Sequence, residues 1–167
     1  MQTLEIAHID ELNICNAIIN DGRDFQKEQG FIQWTDDYPN IDIIKDDIQK
    51  EKGYVIKIDG QIVGYMCVDF EGEPAYDNIK GEWQTKIPYA VVHRMAFSKG
   101  VRGTGLTRTT FALIEELCYK NGIKSIRVDT DFSNKRMQHI LLKYGFIKCG
   151  IIVFQGKGRL AYDKSLS

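Results

Sequence analysis

The chain has 167 residues, 43% of them hydrophobic and 27% charged, which is the ordinary composition of a soluble globular protein of one domain. Its formal net charge of −1 argues against non-specific binding to nucleic acid or to an acidic membrane, because both need an excess of basic residues. The sequence has neither a signal peptide's basic start and apolar run nor an apolar run long enough to cross a bilayer. We therefore expect a single domain over residues 1–167, in the cytoplasm.

The first half of the chain predicts a strand, two helices and a hairpin. In chain order these are a strand at 4–7, a helix after Asp10, a helix at 40–51 and strands at 54–58 and 61–70. The helices follow from apolar residues at helical spacing, among them Ile14, Ile18 and Ile44. The hairpin follows from Asp59-Gly60, a two-residue turn between two apolar runs.

The second half predicts a sheet with a parallel pair. In chain order it contains a surface excursion at 71–86, a strand at 89–97, a helix at 106–121, a strand at 124–130, a helix at 134–144 and strands at 146–154 and 160–164. The almost continuously apolar run at 89–97 is typical of a central strand covered on both faces. Strand, helix and strand in this order imply a parallel pair with a right-handed crossover. The chain therefore predicts an α+β fold.

The cysteines and histidines show no metal-binding spacing. The four cysteines are far apart in the sequence and form no C-x-x-C pair, so we expect reduced, mostly buried thiols and no metal. A nucleophilic role for Cys149 would need a paired base, which the sequence does not supply, so a packed thiol is favoured. The cysteines and histidines of the chain are Cys15, Cys67, Cys118, Cys149, His8, His93 and His139.

The segment from Gly100 to Arg108 is the most informative in the sequence. It leaves the central strand and enters a helix, and its three glycines let the backbone turn sharply and expose its amides. The first amides of a helix have no partner within it and the helix dipole adds positive charge, so the segment predicts an anion site, with Arg102 and Arg108 nearby. The order G-x-x-G-x-G matches neither a P-loop nor a Rossmann dinucleotide site. A glycine-rich turn without a ligand is the alternative.

This segment resembles a known family. Residues 102–107, Arg-Gly-Thr-Gly-Leu-Thr, are similar to the acetyl-CoA signature Q/R-x-x-G-x-G/A of the GNAT N-acetyltransferases, with Thr107 where Gly or Ala is usual. Asn134-Lys-Arg-Met137, followed by Tyr144-Gly-Phe146, resembles the second motif of that family, N-x-x-A and then G-F. The resemblance implies the GNAT fold: a central mixed, mostly antiparallel sheet with one parallel pair, and helices on both faces.

The resemblance also implies acetyl-CoA as cosubstrate. In the family the amides of the signature loop hold the CoA pyrophosphate, and the main chain of the preceding strand pairs with the pantetheine arm. The implied cofactor-binding residues are Met95, Ala96, Phe97, Arg102, Gly103, Thr104, Gly105, Leu106, Thr107, Arg108, Asn134 and Met137.

The chemistry needs a base for the attacking amine and a donor for the oxyanion. In the family the donor is a main-chain N–H on the strand equivalent to 95–97. His93 is the first candidate base, because a period of two places it on the face of Met95 and Phe97; a core histidine with a partner is the alternative. Glu82 is the second, in an acidic run that would attract a cationic amine, and a solvated loop is its alternative.

The usual catalytic acid of the family is missing. Many members carry a tyrosine seven residues after the motif asparagine, where it protonates the departing thiolate, but that position is Leu141 here. Tyr144 is the candidate acid, although it lies roughly 80° around the helix from the face of Asn134, and packing at a helix end is the alternative. Trp34 and Tyr38 either line an amine pocket or pack in the core.

We therefore expect an N-acetyltransferase that transfers an acetyl group from acetyl-CoA directly to a primary amine of a small molecule or peptide. The alternative is a non-catalytic acyl-CoA-binding regulatory module on the same fold, which Leu141 supports. No nucleic-acid or membrane partner is expected. The identity of the amine and the oligomeric state stay open, with a homodimer as one option.

Overall fold

The computed structural model describes residues 1–86 and 88–166, which form four α-helices and eight strands. The helices are α1 (Leu12–Glu28), α2 (Ile41–Gln49), α3 (Leu106–Lys120) and α4 (Lys135–Lys143). The strands are β1 (Gln2–Ile6), β2 (Gly53–Ile58), β3 (Gln61–Asp69), β4 (Lys80–Gly81), β5 (Ala90–Phe97), β6 (Ser125–Thr130), β7 (Ile147–Phe154) and β8 (Lys157–Ser165). Hydrogen-bonded neighbours follow the order β1-β2-β3-β5-β6-β8-β7-β4.

The chain divides into two compact units, and the first comprises Met1–Val68 and His93–Ile114. Its strands β1, β2 and β3 are antiparallel. The predicted hairpin is confirmed, because Asp59 and Gly60 join β2 to β3 with φ of 50° and 83°. Asn40 caps α2 by accepting a hydrogen bond from the amide of Ile43 at 3.1 Å. The core of this unit contains Cys15, Ile18, Ile19, Trp34, Ile44, Ile48, Val55, Tyr65 and Ala96.

The second unit comprises Asp69–Val92 and Glu115–Ser167. It contains the predicted parallel pair, which is confirmed: the first residues of β5 pair with β6 in the register Ala90 with Ile126 and Val91 with Arg127. In the order β6-β8-β7-β4, each neighbouring pair of strands is antiparallel. The core cluster of this unit contains Tyr76, Tyr89, Val91, Ile152 and Ala161.

The segment at 71–86 corrects one prediction, because part of it is core rather than surface. Tyr76 is fully buried in a 3-10 turn at Pro74–Asn78, and its hydroxyl donates to Asp129 at 2.6 Å. Lys80–Gly81 then forms β4 against β7. Isolated aromatic residues among glycines and acids carry no periodicity, so the sequence pattern did not show this burial.

Two smaller predictions are also corrected. Ile14, expected on the apolar stripe of α1, is 50% exposed, because the buried stripe follows Cys15, Ile18 and Ile19 instead. The last strand begins at Lys157 rather than at residue 160, since the turn consists only of Gln155 and Gly156.

Candidate active site

The loop between β5 and α3 has the backbone that the sequence predicts for an anion site. After a short 3-10 turn at Lys99–Val101, Gly103 and Gly105 adopt φ of 77° and 74°, a left-handed conformation that L side chains rarely take. Apart from the glycine itself and its chain neighbours, no heavy atom of residues 1–86 and 88–166 lies within 4 Å of the position that a Cβ would occupy at either glycine. Helix α3 begins at Leu106. The loop therefore leaves open space beside its backbone.

The amides of this loop are available as donors. Within residues 1–86 and 88–166, the backbone N–H groups of residues 103–108 donate no backbone hydrogen bond, and the first such bond of the helix start runs from Thr109 to the carbonyl of Gly105 at 3.5 Å. The hydroxyl of Thr104 donates to the carbonyl of Val101 at 2.5 Å, which tethers the loop internally. Several N–H groups at one helix start are a suitable donor set for a phosphate.

The side chain of Arg102 contacts helix α1. Its guanidinium lies over the ring of Phe25 at 4.4 Å, forms an ion pair with Glu28 at 3.2 Å and donates to the backbone carbonyl of Asp21. These contacts fasten the loop to α1 and neutralise the charge of Arg102. Arg108, by contrast, is exposed on the first turn of α3. It is therefore the arginine whose charge remains available to an anion at this loop.

The second motif lies in the other unit, at the start of α4. Asn134 is the N-cap of α4, and its side chain accepts a hydrogen bond from the amide of Met137 at 3.1 Å. Leu141 is only 1% exposed, so the position of the usual tyrosine is a core position in this chain. Tyr144 ends the helix with its ring 6.5 Å from that of Phe146, an arrangement that agrees with the packing alternative.

Strand β5 carries an irregularity that the sequence did not reveal. Arg94 has a φ of 53°, which is uncommon for a residue with a Cβ. The regular alternation of side chains that relates His93 to Met95 therefore does not hold across Arg94. His93 is half-buried, and its assignment as the base stays a prediction. Glu82, in the other unit, is exposed, and its amide donates to the carbonyl of Cys149 at 3.0 Å.

Arg94 is held by a buried network that the sequence reasoning missed. Its Nε and Nη2 donate to the two carboxylate oxygens of Asp47 at 2.9 and 2.6 Å, and its Nη1 donates to the hydroxyl of Tyr38 at 2.8 Å. Tyr65 donates its hydroxyl to the same carboxylate at 2.8 Å. Burial acts to lower the pKa of Arg94, but the bonds to Asp47 outweigh it and raise that pKa. No motif connects residues so distant in sequence.

The segment at 31–40 is fixed by side chains of α1. Gln26 accepts hydrogen bonds from the amides of Gln33 and Trp34 at 3.1 and 2.9 Å. Arg23, itself buried, donates to the carbonyls of Thr35 and Pro39 at 2.8 and 2.5 Å. The ring of Trp34 belongs to the core of the first unit, which decides between its two interpretations. These contacts make the segment an ordered part of the unit.

The second unit has an acidic cavity of about 330 Å³. Its lining combines the carboxylates of Glu71, Glu73 and Asp77 with the rings of Phe70 and Tyr89. The hydroxyl of Tyr89 accepts from the amide of Glu73 at 3.2 Å, which fixes one wall.

The cysteines are packed thiols, as predicted. All four are buried and free of disulfide bonds. Burial raises the pKa of the Cys149 thiol to about 11, so this residue is protonated near neutral pH and is a poor nucleophile. The described part of the chain contains no group of three or more His, Cys, Asp or Glu side chains arranged to hold a metal. None of its helices has the length and apolar character needed to cross a membrane.

Comparison with known proteins gives one family match and three similar structures. The sequence model of the Acetyltransferase (GNAT) family matches residues 19–146. The crystal structure of a GNAT-family acetyltransferase from Streptococcus agalactiae is 33% identical, with a TM-score of 0.88 and coverage of 99% of this chain and 96% of that one. The GNAT-family acetyltransferase from Listeria monocytogenes is 20% identical, with a TM-score of 0.79 and coverage of 99% and 95%.

A third structure is the aminoglycoside acetyltransferase AAC(6')-Ib in complex with coenzyme A. It is 16% identical, with a TM-score of 0.71 and coverage of 99% of this chain and 95% of that one, and at this identity the likeness concerns the fold alone. A search of curated proteins returned no match.

Proposed function

The chain belongs to the GNAT acetyltransferase family, whose members carry out acetyl-CoA-dependent acetylation, and we propose that it transfers the acetyl group directly to a primary amine of a small molecule or peptide. The observation that carries this proposal is the loop at 102–108, with backbone amides that donate no backbone hydrogen bond within the described residues. The donor set, the open side and the exposed charge of Arg108 suit a diphosphate.

The residues of the loop fit coenzyme A in a second respect. Gly103 and Gly105 have left-handed φ, and the space where their Cβ atoms would lie is open, so a phosphate can approach the backbone closely. Thr107 adds a hydroxyl that can donate to the same group. Acetyl-CoA, when bound, supplies an activated acetyl thioester.

Strand β5 supplies the groups for the reacting carbonyl. Its parallel register with β6 covers Ala90 and Val91, and His93–Phe97 lies outside that register. We assign the main chain of Met95–Phe97 to the pantetheine arm and to the oxyanion, because an N–H aimed at the developing charge stabilises the transition state more than the ground state.

The proton of the attacking amine needs an acceptor. His93 is our first assignment, because an imidazole can accept a proton near neutral pH and the residue lies on β5, the strand that carries Met95–Phe97. Glu82 is the second. No buried tyrosine is required for the leaving group, since a thiol with a pKa of about 8.5 departs readily. Tyr144 remains the candidate acid only if its hydroxyl reaches the thiolate.

A thiol-release screen over a panel of amines tests the proposal. Wild type should release free CoA in the presence of at least one amine, and His93→Ala should lower kcat by roughly 10²–10⁴-fold, with loss of the pH dependence between pH 6 and 8. His139→Ala is the matched control, because it removes an exposed histidine from α4, and it should leave turnover unchanged. Glu82→Ala tests the second assignment in the same assay.

The outcomes separate the two functions. Heat on mixing with acetyl-CoA in a calorimeter, without thiol release for any amine, would favour the non-catalytic module, which the buried Leu141 supports. No heat with acetyl-CoA would exclude both functions. Full turnover of His93→Ala from pH 6 to 9 would move the role of base to another residue.

A further inference from the structure

Arg94 has an unusual backbone for its position in the chain. It lies within β5, has a φ of 53° and is followed directly by Met95. Arginine has no intrinsic preference for this left-handed region, so the surrounding structure must impose the conformation. Residues held in this way are found preferentially at functional sites.

The surrounding contacts that impose it are specific. The Asp47 carboxylate accepts both hydrogen bonds of a bidentate pair, and the side chains of Arg94 and Asp47 are only 12% and 6% exposed. The remaining guanidinium nitrogen, Nη1, donates a hydrogen bond to the hydroxyl of Tyr38. A planar guanidinium with three fixed bonds has little rotational freedom, so the Cα of Arg94 is held in place as well.

The network joins three parts of the first unit. Asp47 belongs to α2, Tyr38 belongs to the segment that Arg23 and Gln26 fasten to α1, and Arg94 belongs to β5. A change in any of these contacts would therefore be transmitted to the strand at the residue before Met95.

We infer that Arg94 is a positioning residue for acetyl transfer: Asp47 and Tyr38 hold its guanidinium, the held side chain fixes the left-handed kink of β5, and the kink sets the direction of the main-chain N–H groups of Met95–Phe97. The inference rests on the proposed function, in which one of those N–H groups donates to the oxyanion. Orientation of such a donor matters because a misplacement of about 1 Å can cost roughly 10²-fold in rate.

A role in stability alone explains the network less well. Buried ion pairs contribute little net stability compared with apolar residues of the same volume, because desolvation offsets the attraction. In some proteins such pairs select one conformation among several. Arg94, in the left-handed region and bound at three nitrogens, fits this use: the network selects one backbone conformation at this position.

The test uses three variants in the full-length protein. Asp47→Asn keeps the shape of the side chain but removes the charge, Arg94→Lys keeps the charge but removes the fork, and Tyr38→Phe removes one acceptor. Asp46→Asn is the matched control, since it makes the same change one residue earlier on α2, at a side chain that is 57% exposed. Ile44→Val, in the buried face of α2, controls for general loss of stability.

Two measurements are made on each protein. In steady-state kinetics, Asp47→Asn and Arg94→Lys should lower kcat on the order of tenfold to a hundredfold, with KM for acetyl-CoA within about twofold of wild type. Tyr38→Phe should lower kcat by about threefold to tenfold. In NMR spectra of the free protein, the Cα chemical shift of residue 94 and the amide shifts of residues 95–97 should differ from those of wild type. The differences should be larger for Asp47→Asn and Arg94→Lys than for Tyr38→Phe. In the two control variants these shifts should equal those of wild type.

The outcomes are separable. If wild type turns over but Asp47→Asn and Arg94→Lys retain its kcat, the inference is overturned and the proposed function stands. If Ile44→Val loses as much kcat as the folded Asp47→Asn, the network is only structural and the inference fails. If wild type has no turnover with any amine, the proposed function fails and the inference fails with it. Should Asp47→Asn not fold, Arg94→Lys and Tyr38→Phe decide the matter by the same criteria.

Discussion

Substitution of Gly105 by alanine tests the phosphate loop most directly. Gly105 has a φ of 74°, and the position of its absent Cβ is surrounded by open space. An alanine there faces no clash within the protein, so its cost to folding is the left-handed strain alone, about 1 kcal/mol. This should lower the melting temperature by about 2–4 °C for a domain of this size.

The cost to binding should be larger. The added Cβ enters the space where we place the diphosphate, and it displaces the ligand from one or two N–H donors. A hydrogen bond to a charged group contributes about 1.5–3 kcal/mol, so the Kd for coenzyme A should rise roughly tenfold to a hundredfold. Isothermal titration calorimetry with coenzyme A measures this change without any need for the acceptor amine.

Gly60→Ala is the matched control. Gly60 has a φ of 83° in the turn between β2 and β3, and its Cβ position is equally open, so the strain is the same while the loop is untouched. Both variants should lose similar stability, and only Gly105→Ala should lose affinity. Wild-type affinity in Gly105→Ala, or an equal loss in Gly60→Ala, would refute the placement of the diphosphate at this loop.

Three other predictions concern the surroundings of the loop and the core. Arg102→Ala should lower the melting temperature and change the KM for acetyl-CoA little, because the guanidinium of Arg102 is bound to α1. Arg108→Ala should raise that KM without loss of stability. Steady-state kinetics and thermal unfolding of the two variants check this. Burial raises the pKa of the Cys15 thiol to about 12, so the folded state releases this proton at a higher pH than the unfolded state. The free energy of unfolding, measured in urea, should therefore be retained below about pH 8.5 and fall as the pH rises toward 12. Tyr76→Phe removes the donor to Asp129, a carboxylate whose pKa burial already raises, and should lower the free energy of unfolding by about 1–3 kcal/mol in urea titrations; an unchanged midpoint would contradict this.

Local patterns predicted most of the fold. The hairpin at Asp59-Gly60, the start of a helix near Asn40 and the parallel pair each follow from local sequence patterns, and each is confirmed. The glycine loop was predicted for the same reason, since turn, helix start and charges are contiguous in sequence. The resemblance to the GNAT family rests on that contiguity together with the second motif at Asn134, and the match of the family model over residues 19–146 confirms the family.

Contacts between distant residues could not be predicted in this way. Arg94 and Asp47 are 47 positions apart, and no periodicity links a strand residue to a carboxylate on a helix. The positive φ of Arg94 was invisible because arginine gives no signal for it, unlike glycine. The burial of Tyr76 was missed because it depends on a partner 53 positions away, Asp129.

The anchoring of residues 31–40 to α1 has a consequence for how this segment can change. Its backbone is held by hydrogen bonds to the side chains of Arg23 and Gln26, and not by its own outward-facing side chains. Ile32, Asp36 and Asp37 are exposed on this segment. Substitutions at these three positions should therefore alter the shape and charge of the surface while the backbone that presents them stays in place.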